Sequence, residues 1–146
     1  MKAIYFDMDG TIANLYGVEG WLDSIINKDA RPYVEARPLV HMATLARQLN
    51  KLQRDGYRLG IVSWLAKNSN EAYDMAVTEA KLQWLRVHLK SVRFDEIHIV
   101  AYGTPKQTVV DDPMGILFDD EENNRLGWTG TAYDIQNIVG VLKGVM

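Results

Sequence analysis

The chain contains no cysteine, which excludes disulfides, thiolate metal centres and cysteine nucleophiles and points to a cytoplasmic setting. Long apolar runs are missing too: nothing approaches the ~18 consecutive apolar residues from which a membrane span is read. The opening MKAIYFDMDG carries one lysine but meets acidic residues after four apolar or aromatic positions, too soon for a signal peptide. There is no surplus of positive charge. The formal net charge is −3 with both signs interspersed, so no basic face is expected to track a nucleic-acid backbone. Internal repeats, low-complexity tracts and linkers are likewise absent. What is present is an ordinary globular composition, 47% hydrophobic and 24% charged over 146 residues. That length fits a single domain, residues 1–146, burying about two thirds of the surface its unfolded chain exposes.

Residues 3–6 form a short apolar run closed by Asp and Gly, the pattern of a buried strand aimed at a loop. From residue 38 to 55 the apolar positions Leu39, Met42, Leu45, Ala46, Leu49 and Leu52 recur at helical spacing, with Pro38 suited to the first turn and Gly56 to the stop. Residues 57–63 (YRLGIVS) read as a second strand, and Asn68 with Glu71 as a capping box before a long helix to about residue 89. Residues 97–100 and 115–118 supply a third and a fourth strand, 127–132 a weak fifth, and Asp134 caps a last helix. Strands alternating with helices predict right-handed parallel βαβ units in a layered α/β domain. Only residues 12–37 are not needed by the alternation; they are expected to form a small cap-like insertion after the first strand.

In such sheets ligands sit beyond the carboxyl ends of the strands. Asp7 and Asp9 follow the first strand, Ser63 ends the second, Lys106 lies after the third, and Asp119 with Asp120 ends the fourth, so all are expected on one rim. A carboxylate becomes a useful nucleophile when cations screen the incoming anion, and it can then form a covalent phosphoenzyme. Asp7 fits that role. Four aspartates at one rim repel one another unless positive charge joins them. Magnesium, which prefers oxygen ligands, suits the gap between Asp7, Asp120 and a substrate phosphate. Lys106 adds a second cation, Ser63 a hydrogen-bond donor, and the main-chain N–H groups after Asp7, at Gly10 and Thr11, a nest for phosphate oxygens. Asp9 can give a proton to the leaving oxygen and later take one from water.

The motifs DMDGT, IVS, the lysine of GTPK, and ILFDD occur in the order and strand contexts of the haloacid dehalogenase-like (HAD) superfamily, which the chain resembles over residues 1–120. The resemblance implies a Rossmann-like three-layer sandwich with a mainly parallel central sheet. It implies Asp7 as nucleophile and Asp9 as acid/base that also gives its backbone carbonyl to magnesium. Of the acidic pair, it makes Asp120 the direct metal ligand and Asp119 its support. An acid two positions after the nucleophile is typical of phosphatase members. The expected activity is therefore a magnesium-dependent phosphomonoester hydrolase acting on a small phosphorylated substrate. Similarity to short nucleotidases of the superfamily favours a nucleoside or deoxynucleoside monophosphate; sugar phosphates and nucleic-acid 3′ ends are the alternatives. So is a regulatory module that binds phosphate and metal without turnover.

The departures from that pattern are bulky Trp64 after Ser63 and an insertion too short for the superfamily's larger caps. Trp64, Tyr16, Trp21 and Tyr33 flank the rim or lie in the insertion, where they can touch substrate or simply pack. Tyr73 and Trp84 belong to a long helix whose apolar residues nearly encircle it, which predicts core packing and leaves a homodimer contact open. Arg31 and Arg37 can reach a second anionic group or remain on the surface. Glu121 and Glu122 read as solvated acids, and none of His41, His88 and His98 has metal spacing.

Overall fold

The structure, a computed structural model, describes residues 2–146. In chain order it comprises β1 (Lys2–Phe6), β2 (Ala13–Asn14), α1 (Trp21–Ile26), α2 (Arg31–Glu35), β3 (Arg37–Pro38), α3 (Met42–Arg54), β4 (Tyr57–Trp64), α4 (Glu71–His88), β5 (Glu96–Val100), β6 (Ile116–Phe118), α5 (Glu122–Gly127), β7 (Thr131–Tyr133) and α6 (Ile138–Val145). Five strands form one sheet in the order β5-β4-β1-β6-β7, and every pairing in it is parallel. β1 lies at its centre, which explains its unbroken apolar run: both faces of that strand are covered.

The two faces are covered unequally. Ile4, Phe6, Leu59, Ile61 and Phe118 point to one side, beneath Leu45, Leu49 and Leu52 of α3, Trp84 and Leu85 of α4, and Ile138 and Leu142 of α6. Each buried aliphatic there contributes about 1.5–3 kcal/mol. Ala3, Tyr5, Val62 and Leu117 point to the other side, under Val110 and Trp128. This second layer is thin, built from a 3-10 turn (Lys106–Thr108), the flanking loops and one tryptophan. Gly60 has a local reason: a Cβ there would strike the Tyr5 ring.

Several boundaries differ from the sequence expectation, each for a physical reason. Pro38 does not begin α3. It pairs with Ala13 in a two-stranded antiparallel ribbon, and the helix starts after His41, whose ring nitrogen accepts from the Thr44 N–H. Asn68 does not cap α4: it sits at φ 56°, and Asn70 takes the N-cap, accepting from the Tyr73 N–H at 2.8 Å. Asp134 bonds the Ile135 N–H outside the last helix, which Asn137 caps instead. Gly127 closes α5, so β7 begins only at Thr131. No helix among the described residues is long and apolar enough to cross a membrane.

The ribbon of β2 and β3 closes off residues 15–36 as an insertion seated on α4. Leu15 and Tyr33 pack against Tyr73, Val77 and Ala80. The Tyr73 hydroxyl donates to Asp29 O and the Trp84 indole to Ala36 O, which accounts for the two aromatics on α4 as packing within the chain.

Candidate active site

Parallel strands deliver their carboxyl ends to one rim, and the predicted acids gather there. The main-chain ladder continues past β1 and β6: Asp7 N–H donates to Phe118 O (3.0 Å) and Asp119 N–H to Tyr133 O (3.2 Å). Both carboxylates are thereby fixed at one level beside Lys106. The Lys106 ammonium donates to Asp7 Oδ1 at 2.9 Å and to Asp119 Oδ2 at 2.6 Å, with the lysine only 2% exposed. Carboxylate oxygens of Asp7, Asp119 and Asp120 all lie within 4.8 Å of one another. Asp119 is fully buried, with Oδ2 on Lys106 and Oδ1 accepting from the Glu121 N–H, whereas Asp120 is partly exposed and faces the cavity.

The electrostatics follow from this crowding. Burial, then the neighbouring Asp7 charge, pushes Asp119 up to about 6 and Asp120 up to about 7. Desolvation raises Asp9 as well, against the opposing pull of Lys81. For Lys106, desolvation alone would lower the pKa, but Asp7 and Asp119 outweigh it and raise it. Four carboxylates at the rim face two ammonium groups, so full ionisation leaves two negative charges uncompensated. An all-oxygen donor set with that imbalance fits a hard divalent cation.

The loop after Asp7 is built differently from the expected phosphate nest. Gly10 N–H donates to Ala13 O, and the N–H groups of Thr11, Ile12 and Ala13 all converge on Met8 O. Gly10 and Thr11 therefore offer no free main-chain donor; Met8 and Asp9 are the loop positions whose N–H groups lack a main-chain acceptor. Gly10 has a separate necessity, φ +79° with no room for a Cβ beside the Asp120 carboxylate and Tyr16. The Thr11 hydroxyl, fully buried, donates to Asp7 Oδ2 (3.0 Å) and accepts from the Asp120 N–H (3.2 Å), tying the first loop to the last.

Ser63 is fully buried at the end of β4, and its hydroxyl accepts from Lys81 Nζ at 2.7 Å. The same ammonium donates to Asp9 Oδ2 (2.9 Å) and Trp64 O (2.7 Å). Neither Lys81 nor Tyr102 belongs to a sequence motif of the rim. For Lys81 a signal existed: it interrupts the buried stripe of α4, four residues from Val77 and from Leu85. A charge inside an apolar stripe needs a partner.

Above the carboxylates opens a cavity of about 300 Å³. Its floor is Asp7, Asp9, Lys106, Asp119 and Asp120; its walls include Tyr16, Trp21, Tyr33, Trp64 and Tyr102. Tyr16 meets Trp21 edge-on at 4.9 Å between ring centroids, and Trp64 meets Tyr102 at 5.0 Å across the mouth. The Trp64 indole donates to Thr104 O at 2.8 Å, while Lys106 Nζ lies 5.5 Å from the centre of its ring. Lys67 is the additional lysine of the wall, 5.8 Å from the Tyr102 ring. Arg31 is occupied elsewhere, paired with Glu35 and bonded to Glu19 O and Ser24, so it braces the insertion instead of reaching an anion. Arg37 stands exposed in β3, away from the cavity lining.

No family model matches the chain, and no curated protein matches it by sequence. Solved structures do. A D,D-heptose 1,7-bisphosphate phosphatase from Burkholderia thailandensis aligns with a TM-score of 0.59 at 13% identity, covering 99% of this chain and 98% of that one. A D,D-heptose 1,7-bisphosphate phosphatase from B. bronchiseptica, complexed with magnesium and phosphate, aligns with a TM-score of 0.57 at 12% identity over the same shares. The fold is thus the α/β fold of those proteins, across nearly the whole length of both chains.

Proposed function

We propose that the chain, built on the fold of those two phosphatases, is a divalent-cation-dependent phosphomonoester hydrolase. The single observation that supports this most is the convergence of Asp7, Asp119, Asp120 and Lys106 at the cavity floor, from loops after three different strands. In this reading an Asp7 carboxylate oxygen attacks phosphorus, the P–O ester bond breaks, and Asp9 protonates the departing oxygen. Water then attacks the aspartyl-phosphate, Asp9 takes its proton, and inorganic phosphate leaves with Asp7 restored. Lys106 holds Asp7 and neutralises charge on the phosphoryl oxygens. Magnesium fits the donor set; Asp7, Asp120 and the Asp9 carbonyl would hold it, and when bound it supplies charge neutralisation and orientation of the phosphate. The bonds that commit Asp119 to Lys106 and to Glu121 N–H favour Asp120 as the direct ligand.

The walls point to the leaving group. Aromatic rings and aliphatic side chains surround a space that accepts a flat ring better than a polyhydroxylated chain, which favours a nucleoside or deoxynucleoside monophosphate. A sugar phosphate is the second reading, favoured by what the two structural neighbours are named for. The test is a substrate panel with and without magnesium: nucleoside monophosphates, sugar phosphates, 3′-phosphorylated oligonucleotides and a generic aryl phosphate. Magnesium-dependent phosphate release with the highest kcat/KM on a nucleotide is expected. Release from no ester under either condition would remove the hydrolase reading and favour a binding module.

A further inference from the structure

Lys81 is 1% exposed on α4, and its ammonium has three acceptors at 2.7–2.9 Å: Asp9 Oδ2, Ser63 Oγ and Trp64 O. An ammonium carries three donors and no lone pair, so its bonding capacity is complete and it can only donate to Ser63. The serine's own hydrogen must then point away from the lysine. The Tyr33 ring of the insertion lies 5.3 Å from the same nitrogen, closing the site from above. A buried ion of this kind is a poor device for stability, since a well-packed apolar residue of similar volume often does as well or better. Its hydrogen bonds are instead all made at the rim: to the Asp9 carboxylate that the proposed chemistry uses, and to Ser63 Oγ and Trp64 O at the carboxyl end of β4.

We propose that Lys81 is a positioning residue of the site, anchoring the Asp9 carboxylate for proton delivery to the leaving oxygen and setting the direction in which the Ser63 hydroxyl donates. The inference rests on the hydrolase reading and deepens it. Asp7 and Lys106 do not touch Lys81, so phosphoryl transfer onto Asp7 stays assembled without it. What suffers is protonation of the departing oxygen, and that matters in proportion to how basic the oxygen is.

The test compares Lys81→Met and Lys81→Gln with the wild-type protein on two substrates, an aryl phosphate with a good leaving group and an alkyl phosphate with a poor one. For the alkyl ester kcat should fall about 100-fold or more, the usual share of general acid catalysis, and for the aryl ester less than about tenfold, with KM nearly unchanged for both. Adding Lys81→Met to Asp9→Asn should cost little more than Asp9→Asn alone, because the two act as one unit. Equal losses on the two esters, unchanged kinetics or full additivity would overturn the proposal. Should both variants fail to fold, the wild-type protein decides by nitrogen-15 NMR. A slowly exchanging Lys81 ammonium signal that shifts in Asp9→Asn supports the anchor; a solvent-averaged signal overturns it. Wild-type protein inert toward both esters would remove the hydrolase reading, and this one with it; equal losses from an active enzyme remove only the role of Lys81.

Discussion

Replacing Lys106 by methionine keeps most of the buried stem and deletes the charge. The ammonium it removes lies 2.9 Å from Asp7 Oδ1 and 2.6 Å from Asp119 Oδ2, and nothing replaces it in the cation-free protein. Breaking a buried pair by removing one partner costs about 3–5 kcal/mol. At about 2–4 °C per kcal/mol for a chain of this size, that is a fall in Tm of about 6–20 °C near pH 7.5. The sign of the pH dependence follows from the carboxylates left behind. Asp119 already sits high, at about 6, through burial and the Asp7 charge, and loses in the variant the lysine that holds it down. A carboxyl raised in the folded state destabilises it as pH climbs from the ordinary carboxylate range through the folded pKa. The Tm deficit of Lys106→Met should therefore be largest above pH 7 and shrink towards pH 5. Thermal unfolding in chelator across that range is the assay. A shift of less than about 3 °C at pH 7.5, or a deficit that grows towards acid, would refute the reasoning.

Asp120→Asn should raise the Tm of the cation-free protein, since it removes a carboxylate disfavoured by burial and by repulsion from Asp7 and Asp119, yet abolish stabilisation by magnesium. In the wild type a cation at a hundred times its Kd adds about 2.7 kcal/mol, or about 5–11 °C, and differential scanning fluorimetry with a magnesium titration reads both effects. Tyr102→Ala removes a ring that is 52% exposed at the mouth and should leave stability nearly unchanged. If it stacks on a base, steady-state kinetics should show KM for a nucleoside monophosphate rising about 5–150-fold, corresponding to about 1–3 kcal/mol. Glu96 tests the opposite end of the sheet. Desolvation would raise its pKa, but the Asp111 N–H, His98 and the Tyr5 hydroxyl outweigh it and lower it. Its stabilisation is present above the ordinary carboxylate range and lost as pH falls through the lowered folded pKa. Glu96→Gln should cost about 1–3 kcal/mol at neutral pH and flatten the acid limb of a pH–Tm curve.

The strands were legible because their signals are local: a four-residue apolar run such as AIYF, or YRLGIVS ending at a serine, marks a strand whatever surrounds it. From their alternation the parallel sheet and its rim follow, and with them the meeting of Asp7, Asp119, Asp120 and Lys106. Helix starts were harder. Asn68 has a glutamate three residues on and Asn70 does not, yet it is Asn70 that the fold turns back to the Tyr73 N–H. Pro38 has the right chemistry for a first helical turn but is claimed by a ribbon partner, Ala13, that lies 25 positions earlier. The donor arrangement of the loop was not legible at all, because DMDGT does not say that Gly10 and Thr11 direct their N–H groups into the loop itself. Lys81 shows the general limit. Its place in an apolar stripe signals that it needs a partner, but only the fold brings Asp9 and Ser63, 72 and 18 positions away, to its ammonium.

The most direct measurement of the central claim is to incubate the protein with an aryl phosphate and magnesium, quench in acid, and locate the phosphoryl group by peptide mass spectrometry. The account predicts an acid-stable, alkali-labile phosphate on Asp7 that disappears, together with turnover, in Asp7→Asn. A phosphate carried by another residue, or undiminished hydrolysis in Asp7→Asn, would contradict it.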